Sequence, residues 1–270
     1  MIDKSQLETY KTFNDPYQIE KDYLQDLLLY NIYKSTGNGF IFKGGTALSK
    51  VYHTDRFSED IDFTLHDYAT AESNHKEKDS FEFIKRVLDS AVSGIEYRTR
   101  YLQEPSINKF GTVSAMIWVD GPRFTGRQST LQRINFEIST KGSILIKPRP
   151  APIVPVYAGA LNYVAIVMDA SEILSEKVRA VCSKGRRHKE RDLYDMYVLL
   201  GKGFTPDKKV LREKFDEVNL KFSNTKFKQY ILRIEDTWTQ LKPFVQHSLE
   251  NYNDVSNYVT DAVLKLNLSD

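Results

Sequence analysis

Residues 40–65 read FIFKGGTALSKVYHTDRFSEDIDFTL, and the fold follows from how this stretch changes its period. Phe40, Ile41 and Phe42 form a short apolar run that ends at Gly44-Gly45, after which Thr46, Ala47, Leu48, Ser49 and Lys50 can open a helix. From Ser58 to Leu65 the pattern alternates, with Ile61, Phe63 and Leu65 on one face and Asp60, Asp62 and Thr64 on the other. The stretch therefore predicts a strand, a tight glycine turn, a helix N-terminus and a second strand.

Upstream, Asn14, Asp15 and Pro16 are a helix-start signal. Ile19, Tyr23, Leu24, Leu27, Leu28 and Ile32 follow at helical spacing, which predicts a helix over 16–35. Downstream, His66 to Asp79 reads as a loop, Phe81 to Leu88 as a helix, and residues 95–103, 112–119 and 131–138 as strands. Pro148, Pro150, Pro152 and Pro155 then crowd together and exclude a continuous helix or a central strand. Asp169 with Glu172 resembles a capping box opening a helix that runs to Gly185, and further helical patterns occupy 190–200, 208–222, 226–250 and 254–266. The reading is an α+β fold, a mixed sheet with flanking helices over 1–165 followed by a mostly helical domain over 166–270.

The chain has 270 residues, 41% hydrophobic and 27% charged, which is enough to bury a sizeable core. Its one cysteine, Cys182, excludes a disulfide scaffold and reads as a small apolar helix residue. No run of eighteen apolar residues exists and Met1-Ile2-Asp3-Lys4 opens no signal peptide, so a cytoplasmic protein without a membrane span is expected. Lys and Arg number 38 against 36 Asp and Glu, a net of +2, and each half of the chain is close to balance. A polybasic nucleic-acid coat is excluded, and any contact with nucleic acid must come from a local patch.

Chemistry concentrates on three places. Asp60 and Asp62 flank one apolar residue on a strand, so their carboxylates project from one face about 6 to 7 Å apart along the backbone. Two like charges held so close favour a cation between them, and Mg²⁺ is commonly bound by a few carboxylates together with substrate phosphates. An Asp-x-Asp alone also suits a solvated strand face. The glycine turn at Gly44-Gly45 offers bare amides and a helix N-terminus to phosphates, although a simple connection needing positive φ would look the same. Lys184, Arg186, Arg187, Lys189 and Arg191 crowd around His188 and Glu190 and could grip an RNA backbone, or form an exposed connecting loop. Trp118 and Trp238 read as core.

Lys43-Gly44-Gly45-Thr46-Ala47-Leu48-Ser49-Lys50-Val51-Tyr52 and Arg56-Phe57-Ser58-Glu59-Asp60-Ile61-Asp62-Phe63 resemble the first two motifs of the AbiEii toxin family, within the DNA polymerase β nucleotidyltransferase superfamily. Ser175-Glu176-Lys177-Val178-Arg179-Ala180 and Arg191-Asp192-Leu193-Tyr194-Asp195 are similar to its third and fourth motifs, and Ile19-Glu20-Lys21-Asp22-Tyr23 to its opening helix. The resemblance covers about residues 16–200. Gly45 stands where many superfamily members carry serine, and fourteen residues separate it from Asp60.

The resemblance implies a nucleotidyltransferase toxin that uses a nucleoside triphosphate with Mg²⁺ or Mn²⁺. It also implies RNA as acceptor, specifically the tRNA 3′ end, and a cognate antitoxin; a monomeric working unit is expected besides. Carried over by position, Gly44, Gly45, Thr46 and Lys50 would bind the nucleotide, Asp60 and Asp62 the metal, Lys177 the triphosphate, and Asp192 would be an essential acid. By spacing alone Asp192 and Asp195 share a helix face, so either could be the functional acid and the other structural, paired with Arg179 or Arg191; Asp192 is the favoured functional one. Glu137, alternating away from the apolar face of Ile134, Phe136 and Ile138, is the candidate third metal ligand or a solvent-facing strand glutamate. A protein or small-molecule hydroxyl as acceptor, and a nucleotide-binding module without transfer activity, are the rival readings.

Overall fold

A computed structural model describes residues 1–37, 39–66, 76–183, 185 and 189–268. The chain divides into two compact units, one of residues 1–51, 57–144 and 148–167, the other of 52–56, 145–147 and 168–270. The first holds α1 (Lys4–Leu7), α2 (Pro16–Thr36), β1 (Phe40–Lys43), nearly all of α3 (Gly44–Tyr52), β2 (Asp60–Leu65), α4 (Lys76–Ser93), β3 (Thr99–Ile107), β4 (Thr112–Val119), β5 (Gln132–Ser139), β6 (Arg149–Ile153) and β7 (Tyr163–Val167). The second holds α5 (Ala170–Cys182), α6 (Lys189–Gly201), α7 (Lys208–Asp216), α8 (Asn224–Leu232), α9 (Glu235–Trp238) and α10 (Tyr252–Leu264).

The seven strands form one mixed sheet in the order β3-β4-β5-β2-β1-β7-β6. β2 is antiparallel to β1 and parallel to β5, and β7 lies parallel to β1. Alternation sorts its two faces. Phe42, Phe63, Phe136, Ile134 and Ile138 are fully buried on one face, where Tyr33 of α2 meets Phe63 at 6.3 Å and Phe83 of α4 meets Phe40 edge-on at 5.9 Å between ring centroids. Asp60 and Asp62 point to the other face. Asp15 caps α2 by accepting from the Tyr17 amide, and Pro16 fills the first helical position, as the sequence signal requires.

Pro150 and Pro152 lie in β6, the edge strand beyond β7, where a missing N–H costs the ladder least. β7 is too short, between proline-rich and capping segments, to stand out by periodicity. It is fixed instead by its parallel pairing with β1. Residues 67–75, within the stretch read as a loop, lie outside the described residues, and α4 already begins at Lys76.

In the helical unit Leu174, Val178, Leu193, Leu199, Leu211, Phe227, Val255 and Val259 are buried to within 1%. Three local expectations change. Asp169 caps α5 through the Ser171 amide, but Glu172 does not reach back to complete a box. Its carboxylate takes the Leu145 and Ile146 amides at 3.1 and 2.8 Å and the Lys214 ammonium at 2.9 Å. The helix expected over 208–222 ends at Asp216, because Asn219 turns left-handed at φ 52° and lets Leu220 N–H close on the Phe215 carbonyl. The helix expected over 226–250 is broken into α8 and α9, which buries Ile234 and Trp238, and Pro243 forbids its continuation.

Candidate active site

β1 delivers the chain straight into α3 through Gly44, whose φ of 73° belongs to the left-handed region. The turn is pressed against β2: a Cβ added at Gly44 would stand 2.1 Å from Asp62 Oδ2. Only glycine therefore lets the backbone and this carboxylate approach. Thr46 is buried, and its hydroxyl donates a short hydrogen bond to the Asp60 carbonyl, tying the first turn of α3 to β2. The leading N–H groups of any helix lack intrahelical acceptors, so the start of α3 brings backbone donors and the positive end of a helix dipole beside Asp62.

Asp60 and Asp62 are half-buried on the same face of β2. On the neighbouring β5, Asn135 is in register with Asp60 and Glu137 with Asp62. Asn135 Nδ2 donates to Asp60 Oδ1 at 2.8 Å. Sequence reasoning passed over Asn135, although its place two residues before Glu137 puts it on the same face. Glu137 is exposed, and among the described residues no group of three or more Asp, Glu, His or Cys side chains is gathered to hold a metal. The pair itself fits a hard divalent cation. Its donors are carboxylate oxygens, and Mg²⁺ asks for one or two of these beside phosphates and water. The bare Gly44 Cα lets the Asp62 carboxylate lie directly against the start of α3.

Lys50 lies on the last turn of α3, and its ammonium is claimed elsewhere. It meets Asp22 Oδ1 at 2.8 Å and Asp26 Oδ1 at 2.9 Å, with its side chain 6% exposed. Burial works against its charge, but the two carboxylates outweigh it and raise the Lys50 pKa. Lys50 thus braces α3 against α2, and the placement gives it a packing task whatever else it does.

The third and fourth motifs meet in the helical unit. Lys177 of α5 contacts Asp192 Oδ1 and Asp195 Oδ2 of α6, both at 2.8 Å. Asp195 is fully buried, and its second partner is Arg56, whose Nε and Nη2 donate to its two oxygens at 2.9 Å each. Burial alone would raise Asp195, yet the Arg56 guanidinium and the Lys177 ammonium hold it down to about 2. The structural pairing of Asp195 is therefore with Arg56, 139 residues away, and no local pattern could reveal it. Arg179 pairs instead with Glu217 at 3.3 Å, and Arg191 lies over the Phe244 ring at 4.3 Å.

Of the basic strip, Lys184, Arg186 and Arg187, with His188, lie outside the described residues. Lys189 donates to the Val181 carbonyl at 2.6 Å and stands 4.5 Å above the Tyr230 ring, so both described cations of the strip also serve helix packing. Cys182 is buried, and burial pushes its thiol up to about 12, which leaves it unreactive. No described helix is long and apolar enough to cross a membrane.

Residues 27–259 match the sequence model of a family described as nucleotidyl transferase AbiEii toxin, type IV toxin–antitoxin system. Among solved structures the fold is similar to JHP933 from Helicobacter pylori, with a TM-score of 0.50 at 18% identity over 93% of each chain. A second H. pylori structure, named provisionally as a nucleotidyltransferase, gives a TM-score of 0.49 at 18% identity over 92% of this chain and 94% of its own. No curated protein matches the chain.

Proposed function

Since the chain belongs to the AbiEii family of nucleotidyl transferase toxins of type IV toxin–antitoxin systems, we propose that it moves a nucleotide from a nucleoside triphosphate to an RNA hydroxyl, the 3′ end of tRNA. The observation that carries this reading is the closeness of a phosphate-binding turn to a carboxylate pair. Asp62 rests against Gly44 at the start of α3, and Asp60 stands beside it on the same strand face. Those two carboxylates would hold Mg²⁺, which supplies charge neutralisation at the phosphates and aligns them.

The amides at the start of α3, from Gly44 to Thr46, would take the phosphate oxygens, as helix N-termini do. The acceptor hydroxyl oxygen forms a bond to the α-phosphorus while the bond to the pyrophosphate oxygen breaks in line. The half-buried carboxylates offer a base for the hydroxyl proton. Asn135 fixes the Asp60 carboxylate, and Thr46 fixes the turn, so positioning is done before substrate arrives. Lys177 and Asp192 would contribute through their ion-paired cluster in the helical unit, Lys177 toward the triphosphate and Asp192 as the acid that steers it. A cytoplasmic setting, an antitoxin partner and a monomeric toxin belong to the same proposal.

The test is incubation of the pure chain with Mg²⁺, total RNA and each α-labelled nucleoside triphosphate in turn. Label in RNA of tRNA size, lost when the RNA carries a 3′ phosphate, is the expected result. Label appearing only in protein, or in no acceptor with any of the four nucleotides, overturns it. Gly44→Ala is expected to lose most transfer, because the new Cβ would displace Asp62 and strain a left-handed residue.

A further inference from the structure

The sheet face that carries Asp60 and Asp62 continues across β5, β4 and β3. Along it the residues fall into rungs. Asp62, Glu137, Ser114 and Ser106 form one, Asp60, Asn135, Met116 and Gln103 the next, and Arg133, Trp118 and Arg100 the third. Trp118 was expected in the core, but it is half-buried and faces away from Val113, Ala115 and Ile117, which fill the opposite side of β4. Both flanking guanidiniums lie over its indole, Arg100 Cζ at 5.2 Å and Arg133 Cζ at 5.8 Å from the ring centroid. Arg100 is also paired with Asp120 at 3.1 Å, while Arg133 is exposed.

One feature of this rung has no use within the chain. The Trp118 indole N–H is shielded from water and has no hydrogen-bond partner. A shielded donor without an acceptor destabilises a fold, and tryptophan normally finds one when covered. The indole sits between two cations on a polar sheet face. Two strand spacings across and two residues along put Trp118 about 12 Å from Asp60.

The geometry points to the Arg100–Trp118–Arg133 rung as the subsite for the single-stranded end of an RNA acceptor, a deepening that rests on the RNA-transfer reading above. Unpaired bases stack on aromatic rings and on guanidinium planes, and phosphates take charge-assisted hydrogen bonds from arginine. The rung supplies both surfaces in the guanidinium planes that lie over the indole. An acidic protein surface would satisfy the cations but leave the stacking surface without a partner, and an apolar one would cover the cations without pairing them. RNA satisfies all of these, and the same sheet face then leads its terminal hydroxyl toward Asp60.

The experiment measures binding of a labelled single-stranded oligoribonucleotide by anisotropy, beside transfer kinetics, for the wild type, Arg133→Gln, Trp118→Ala and Trp118→Phe. Loss of one stacked base predicts weaker binding by about five- to a hundredfold for Trp118→Ala, with Trp118→Phe recovering most of it. Loss of one phosphate contact predicts a log–log salt slope shallower by about 0.7 for Arg133→Gln. KM for RNA should rise while KM for the nucleotide and kcat at saturating RNA stay level, because the rung binds ground and transition states alike. Arg133 is exposed and Trp118→Phe is conservative, so both remain readable if Trp118→Ala fails to fold.

Wild-type transfer to RNA with unchanged binding and KM in these variants overturns the subsite and leaves the function standing. A wild type that neither binds the oligoribonucleotide nor labels RNA overturns both. Variants that lose affinity only for a protein acceptor reassign the face to protein docking and overturn the subsite as well.

Discussion

Asp60 and Asp195 are both aspartates within family-like motifs, and the protein holds them in opposite ways. Asp60, half-buried at the open face of the sheet, has a carboxylate oxygen fixed by the neutral amide of Asn135. Asp195, inside the helical unit with none of its surface exposed, is gripped by Arg56 on both oxygens and by Lys177 on one. The difference follows from dielectric. A charge taken fully out of water needs an opposite charge with good geometry, whereas one at a half-open face can be held by a neutral donor and still present its charge to an incoming cation. Motif membership alone does not distinguish a working carboxylate from a structural one; its partners do.

Removing each charge should therefore produce opposite failures. Asp60→Asn is expected to lower transfer by about a thousandfold or more, the several kcal/mol that metal-held charge stabilisation is worth. Its stability should stay within about 1 kcal/mol of wild type, since no buried counter-charge is orphaned. Asp195→Asn is expected to cost about 3–5 kcal/mol of stability, because Arg56 and Lys177 are left with one carboxylate between them in a buried site. Urea unfolding of the two variants beside their transfer rates checks the pair. An Asp195→Asn protein as stable as wild type, or an Asp60→Asn protein with full activity, breaks the comparison.

Much of the sheet unit was legible because its signals are local. The Asn14-Asp15-Pro16 start, the Gly44 turn and the alternation through Asp60-Ile61-Asp62 each lie within a few residues, and each sits where its pattern places it. Strand β7, by contrast, is defined by pairing with β1 across more than a hundred residues, and periodicity in five residues cannot carry that. The same limit applies to side-chain partners. Glu172 looked like half of a capping box, but it serves Lys214 and two backbone amides from a distant segment. Trp118 looked like core because large aromatics usually are, and only the register of β3, β4 and β5 shows it between two arginines on the open face.

The smallest expected effects come from pH, and they sharpen the contrast between buried clusters. In the sheet unit one cation, Lys50, serves two carboxylates, Asp22 and Asp26. Burial outweighs the help from Lys50, with repulsion from Asp22 added, and Asp26 rises from 3.8 to about 6. Between about pH 4 and 6 the unfolded chain has released a proton that the folded unit keeps, so stability falls as pH rises through this window, by about 3 kcal/mol in all. In the helical unit Arg56 and Lys177 together outweigh burial, and Asp195 falls from 3.8 to about 2. Its contribution, about 2 kcal/mol, is fully present above pH 4 and is lost as pH falls toward 2. Hydrogen exchange, corrected for intrinsic rates, reads the two separately: protection in α2 should weaken from pH 4 to 6, and protection in α6 from pH 4 to 2. If both helices weaken in the same direction, charge balance is not what separates the clusters.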